Sequence, residues 1–185
     1  MKAAIYKNYG SPDVVQIAEI PNPKIKKNEI LVMIFATTVN RNDCGFRKPE
    51  YAWIIRPIHG LLRPRIQVLG TEFSGVVLET GSEVTNTKKG DEIFGLTGNQ
   101  FGCHAEYLAI SENSAFAFKP NHLKHEEAVS ILDGPWLAHS IINSFDQIKT
   151  KRILVYGASG SIGSACVELA KSKKFYVTAV SRSTL

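Results

Sequence analysis

The chain has 185 residues, 44% of them hydrophobic and 21% charged, with a formal net charge of +5. This is an ordinary globular composition for one domain or two small ones, and no run approaches the roughly 20 apolar residues that a membrane span needs. Three scattered cysteines, Cys44, Cys103 and Cys166, argue against a disulfide framework and for a reducing compartment.

The N-terminal MKAAIYKNYG has no signal-peptide core, so a cytoplasmic location is expected. Strand signals follow in chain order. Segments 3–7 and 14–20 are short and each is followed by turn residues. The run EILVMIFATTV at 29–39 is long, apolar and β-branched. Segments 73–79, 91–94, 105–110 and 115–118 continue the series, with glycines at several of the turns. Short strands at this spacing read as a β-barrel or sandwich-like domain. The pattern then changes. Helical spacing is expected over 121–131 and from Pro135 to about Ile148, with Pro135 in the first turn, where a missing N–H costs nothing. A strand at 152–156, a helix at 161–173 and a strand at 175–181 make one βαβ unit. Basic residues gather at KIKK and between Arg47 and Arg65, but neither cluster is a dense run. Solvated loops are therefore expected there, with no nucleic-acid partner.

The stretch VYGASGSIGSACVELAK carries the clearest chemistry. Gly157 permits a tight strand-to-helix turn. Gly160 lets backbone approach a phosphate, and Gly163 lets the helix pack closely. With Ala158, Ser159, Ser161 and Ile162 they form a candidate pyrophosphate cradle at a helix N-terminus. The spacing is G-x-x-G-x-x-G, and the alternative is a βα turn with no ligand. At the end of the next strand no acidic residue is available for a ribose 2′-OH. Ser181 and Arg182 stand there instead, and Arg182 suits a 2′-phosphate, which favours NADPH. The alternative for Arg182 is a surface arginine.

Taken with EILVMIFATTVNRND, LGTEFSGVV, KKGDEIFGLTG and HAEYLAI, the loop completes a pattern in order along nearly the whole chain. It resembles the medium-chain dehydrogenase/reductase superfamily, in its zinc-free quinone oxidoreductase branch. The resemblance implies an α+β chain in two parts. Residues 1–122 would form a GroES-like β-barrel domain on the substrate side. Residues 123–185 would form linking helices and the first βαβ unit of a Rossmann-type NADPH-binding domain. It also implies hydride transfer from NADPH to a quinone, enone or similar activated carbonyl compound, and a homodimeric full-length parent. Chains of this branch run further, so these residues are expected to be part of a longer enzyme. The alternative is a folded, non-catalytic fragment.

The resemblance also sets site expectations. The catalytic zinc ligands of zinc-dependent relatives fall at Asn40, Thr71 and near Asp133, none of which is a soft thiolate or imidazole, so no metal is expected. His122 and His125 are expected at the surface. Without zinc the acceptor carbonyl must be polarised by hydrogen bonds. Asn40 is the first candidate, Tyr51 a possible proton or hydrogen-bond donor, and Thr71 a hydroxyl contributor. Asp43 and Glu72 are expected to fix loop backbone. Local turn bonding for Asn40 and Thr71, and packing beside Trp53 for Tyr51, are the alternatives. Cys44 and Cys103 are weak nucleophile candidates. Gly45 and Trp136 depart from the family's usual tyrosine and threonine.

Overall fold

In a computed structural model the apolar run of the first part becomes an interior strand of an antiparallel sheet. The structure describes residues 1–48, 59–145 and 151–182, which group into two units, Met1–Ser130 and Ile131–Leu185.

In the first unit, β1 (Lys2–Tyr6) and β2 (Val15–Glu19) form an antiparallel hairpin. Strands β3 (Glu29–Thr37), β4 (Glu72–Thr80), β5 (Glu92–Leu96), β6 (Tyr107–Ser111) and β7 (Ala115–Phe118) form one sheet in the order β6-β3-β4-β5-β7. Every pairing in it is antiparallel. The hairpin joins through isolated bridges, Ala3 to Ala105 and Ile5 to Val68. Alternation along the strands decides the core. Ile30 and Val32 of β3 point inward with Phe73 and Val77 of β4, Ile93 of β5, and Leu108 and Ile110 of β6; Cys103 completes the cluster. Such a side chain is worth about 1.5–3 kcal/mol when fully buried.

Strand β3 ends at Thr37 rather than at Val39, because the chain turns into helix α1 (Arg41–Arg47). Asn40 and Asp43 form a capping box, in which the Asn40 side chain takes the Asp43 N–H and the Asp43 carboxylate takes the Asn40 N–H. Helix α2 (His125–Ser130) lies on β3, β4 and β5. His125 is anchored rather than on the surface as expected. Its Nδ1 is 2.8 Å from Ser74 Oγ, its ring stacks on Phe35, and its Nε2 is 3.5 Å from Glu92. Glu92 also pairs with the buried Lys119 at 3.0 Å, which holds the carboxyl below its usual range. His122 is exposed. Lys26 and Lys27 of the basic stretch are exposed and paired with Glu29 and Glu83.

In the second unit, α3 (Asp133–Ser144) precedes β8 (Arg152–Tyr156), α4 (Ser161–Ser172) and β9 (Tyr176–Val180). Pro135 does sit in the first turn of α3. Strands β8 and β9 pair in parallel, Ile153 opposite Val177 and Val155 opposite Ala179. One face of this pair packs under the helices, around Ala138, Ile142, Ala165, Cys166, Ala170 and Phe175. The alternate residues Leu154, Tyr156 and Tyr176 are exposed, Tyr156 by 87%. No described helix is long and apolar enough to cross a membrane.

Candidate functional site

Two sets of expected residues are described by the structure, one in each unit. Tyr51, the third catalytic candidate, lies outside the described residues.

In the first unit the end of β3 and the start of β4 bring Asn40 and Thr71 together. Asn40 Nδ2 donates to Thr71 Oγ1 at 3.1 Å. Both residues are half-buried. Asn40 Oδ1 is used as the helix cap, accepting from the N–H groups of Asn42 and Asp43. This fixes which end of the amide faces Thr71. An amide nitrogen carries two protons, and a threonine hydroxyl that accepts one bond still has its own proton to give. The corner thus offers two neutral donors of the kind that polarise a carbonyl oxygen.

Buried acids hold this corner, as expected for Asp43 and Glu72. Asp43 accepts from Asn40 N–H and from Gly70 N–H, both at 2.9 Å. Glu72 takes the hydroxyl of Thr38, while its own carbonyl takes Thr37 Oγ1 at 2.7 Å. The sequence reading missed His104. Its Nε2 lies 2.8 Å from the Thr38 carbonyl and 3.9 Å from Asp43. The contact is long in sequence, 66 residues, and no local pattern signals it.

Neither weak nucleophile candidate gains a base. Cys103 is fully buried, burial pushes its thiol up to about 12, and its Sγ is 3.6 Å from Thr97 Oγ1. Cys44 is exposed on α1. Ser74, His125 and Glu92 follow the order of a hydrolytic triad, but Ser74 is fully buried and reaches no substrate. Among the described residues no group of three or more His, Cys, Asp or Glu side chains could hold a metal ion.

In the second unit the glycine loop joins β8 to α4. Gly157 has φ +79°, the left-handed conformation that a tight turn requires. Gly157 N–H and Ala158 N–H both donate to the Val180 carbonyl, at 2.9 and 3.0 Å. The loop is thereby tied to the end of β9, immediately before Ser181 and Arg182, both exposed. A Cβ on Gly163 would fall 2.2 Å from the Gly157 oxygen, so helix and loop pack too closely for any side chain there. A Cβ on Gly160 would be an ordinary 3.4 Å from the same oxygen. Among the described residues nothing stands closer than this to demand glycine at 160, whereas a ligand laid against the backbone would. Gly160 is the N-cap of α4 and has an extended backbone. The N–H groups of Ser161, Ile162 and Gly163 have no partner within their own helix and point toward its positive end. Ser159, Ser161 and Ile162 are exposed. These features fit a dinucleotide phosphate.

Comparison with known proteins adds to this geometry. Residues 26–120 match the family "Alcohol dehydrogenase GroES-like domain". The chain is 34% identical to the 2-methylene-furan-3-one reductase of Solanum lycopersicum over 92% of its own length and 44% of that protein's. It is 31% identical to the chloroplastic NADPH-dependent alkenal/one oxidoreductase of Arabidopsis thaliana, with the same coverage. The structure matches the quinone oxidoreductase of Coxiella burnetii with a TM-score of 0.84 and 26% identity, over 98% of this chain and 56% of that one. The chain therefore spans about half the length of the relatives it matches. Its architecture is a GroES-like β domain followed by part of a Rossmann-type α/β region, as the sequence led us to expect.

Proposed function

Because the chain belongs to the alcohol dehydrogenase GroES-like family, as a quinone-oxidoreductase-like member of the medium-chain dehydrogenase/reductase superfamily, we propose that it serves NADPH-dependent, zinc-independent reduction of a quinone, enone or similar activated carbonyl compound. The observation that carries the proposal is the Asn40–Thr71 pair. Two neutral donors, held by buried acids, are of the kind that polarise a carbonyl oxygen through hydrogen bonds.

Each unit contributes one part. Residues 157–163 hold the pyrophosphate through the N–H groups at the start of α4, with Gly160 leaving room for it. Ser181 and Arg182 meet the 2′-phosphate, and the guanidinium supplies charge-assisted bonds that an NADH ribose cannot use. The bound cofactor supplies the hydride. Asn40 and Thr71 bind the acceptor oxygen and stabilise negative charge as it develops there. Tyr51 is included as a proton donor. A reducing compartment fits the three free cysteines. The names of the relatives support the acceptor class, since those proteins are called a 2-methylene-furan-3-one reductase, an alkenal/one oxidoreductase and a quinone oxidoreductase.

The direct test is oxidation of NADPH by the purified chain with a quinone, an enone and an aldehyde as acceptors. Turnover with the first two that is lost in Asn40→Ala supports the proposal. Turnover that survives in Asn40→Ala and Thr71→Val contradicts it.

A second reading is a folded module with weak or no cofactor binding. It is favoured by the uncovered face of β8 and β9, with Leu154, Tyr156 and Tyr176 exposed. Parallel sheets are ordinarily covered on both faces. Under that reading NADPH leaves every amide resonance of residues 157–163 in place.

A further inference from the structure

Three stretches of chain meet at Gly70, its own, that of Asp43 and that of Cys103 and His104, and His104 touches the two that carry the donor pair. Gly70 has φ +89°. A Cβ on it would lie 2.5 Å from His104 Cδ2 and 2.8 Å from His104 N. The imidazole edge thus lies directly against the Gly70 backbone, one residue before Thr71. On its other side His104 Nε2 reaches the Thr38 carbonyl at 2.8 Å, two residues before Asn40. A carbonyl oxygen only accepts, so this bond fixes the Nε2 proton on the ring. The backbone of His104 is fixed as well, its N–H donating to the Leu69 carbonyl at 3.0 Å. Its side chain is only 13% exposed and stands at one wall of a groove of about 530 Å³, whose lining includes Asp43, Cys44 and Thr37.

We propose that His104 is a positioning residue for the Asn40–Thr71 pair. It is a spacer and donor that sets how far Thr38 stands from Gly70. The proposal rests on the reading that this pair polarises the acceptor. The geometry is closed on both sides. Glu72 accepts from the Thr38 hydroxyl and His104 Nε2 donates to the Thr38 carbonyl. Asp43 takes the N–H groups of Asn40 and Gly70. Three of these holds come from carboxylates next to the pair in sequence; His104 alone of them comes from the segment before β6. Without its donor the Thr38 carbonyl loses a partner, and the 38–40 loop can drift relative to Thr71. A displacement of an ångström at a reacting group costs up to about a hundredfold in rate.

The test uses the 185-residue chain labelled with ¹⁵N. His104→Phe keeps a flat ring of similar bulk and removes the donor. His104→Gln keeps a donor near the place of Nε2. The expected result is that His104→Phe displaces the Asn40 side-chain amide and the Gly70 and Thr71 backbone amides while the core amides of Ile30, Ile93 and Ile110 stay in place. His104→Gln restores them. In turnover assays kcat falls about ten- to a hundredfold in His104→Phe at unchanged KM. Unmoved Asn40 and Thr71 resonances in His104→Phe overturn the proposal. Should His104→Phe not fold, the wild-type ring decides. A slowly exchanging Nε2 proton supports the clamp, and an Nδ1-protonated ring refutes it. NADPH added to the wild-type chain reports separately on the functional reading, through the amides of 157–163. Its failure there is therefore not confused with a failure at His104.

Discussion

The Asn40–Thr71 corner and the glycine loop are built on opposite principles. The corner is determined several times over, by a capping box, two buried carboxylates, a histidine from a distant segment and a glycine whose missing Cβ admits that histidine. The loop is held by its own neighbourhood, two N–H groups on Val180 and the close approach of Gly163, and its residues Ser159, Gly160, Ser161 and Ile162 are exposed. A group that must stabilise a charge has to be fixed before the charge appears. A group that must wrap a flexible phosphate needs donors and space more than rigidity.

The largest effects should fall on the corner. Gly70→Ala introduces a Cβ against His104 and the backbone of Cys103 in a left-handed conformation. We expect a loss of about 3 kcal/mol or more in urea unfolding. A loss under about 1 kcal/mol would show that the corner yields more easily than the contacts imply. Asn40→Ala removes the N-cap acceptor and the bond to Thr71 and should cost about 1–2 kcal/mol, with loss of turnover.

The loop should respond in the other way. Gly160→Ser places a favoured N-cap residue where the backbone is already extended and a Cβ meets the Gly157 oxygen at an ordinary 3.4 Å. Thermal stability should stay level or rise by a few tenths of a kcal/mol, while NADPH binding weakens about tenfold or more in calorimetric titration. Unchanged affinity would remove the ligand explanation for that glycine.

The smallest effect concerns neither region and sets the baseline. Glu112 accepts N–H bonds from Thr85, Asn86 and Thr87, which hold its carboxyl below its ordinary value of 4.5. A carboxyl lowered in the folded state adds stability that is complete above its ordinary value and is lost as pH falls through the folded value. Glu112→Gln should therefore melt below wild type at neutral pH. The gap should close in acid, whereas variants of the corner should keep theirs.

How much could be read beforehand follows the same division. The glycine loop was legible because its strand, turn and helix lie within about twenty residues and each glycine has a local task. The β domain was legible from alternation and turn residues. Helix α1 was not, although Asn40 and Asp43 carry the capping-box spacing, because Gly45 interrupts it and only Phe46 packs inward from its apolar residues. His104 and His125 were not legible either. Their partners, Thr38 and Ser74, arrive only once β3 and β4 have paired.

The most direct measurement is a fluorescence titration of the purified chain with NADPH and, in parallel, NADH, on wild type and Arg182→Ala. The account predicts tighter binding of NADPH by wild type, a preference of one to two orders of magnitude that Arg182→Ala abolishes. Equal affinity for the two cofactors in wild type, or a preference that persists without Arg182, would contradict it.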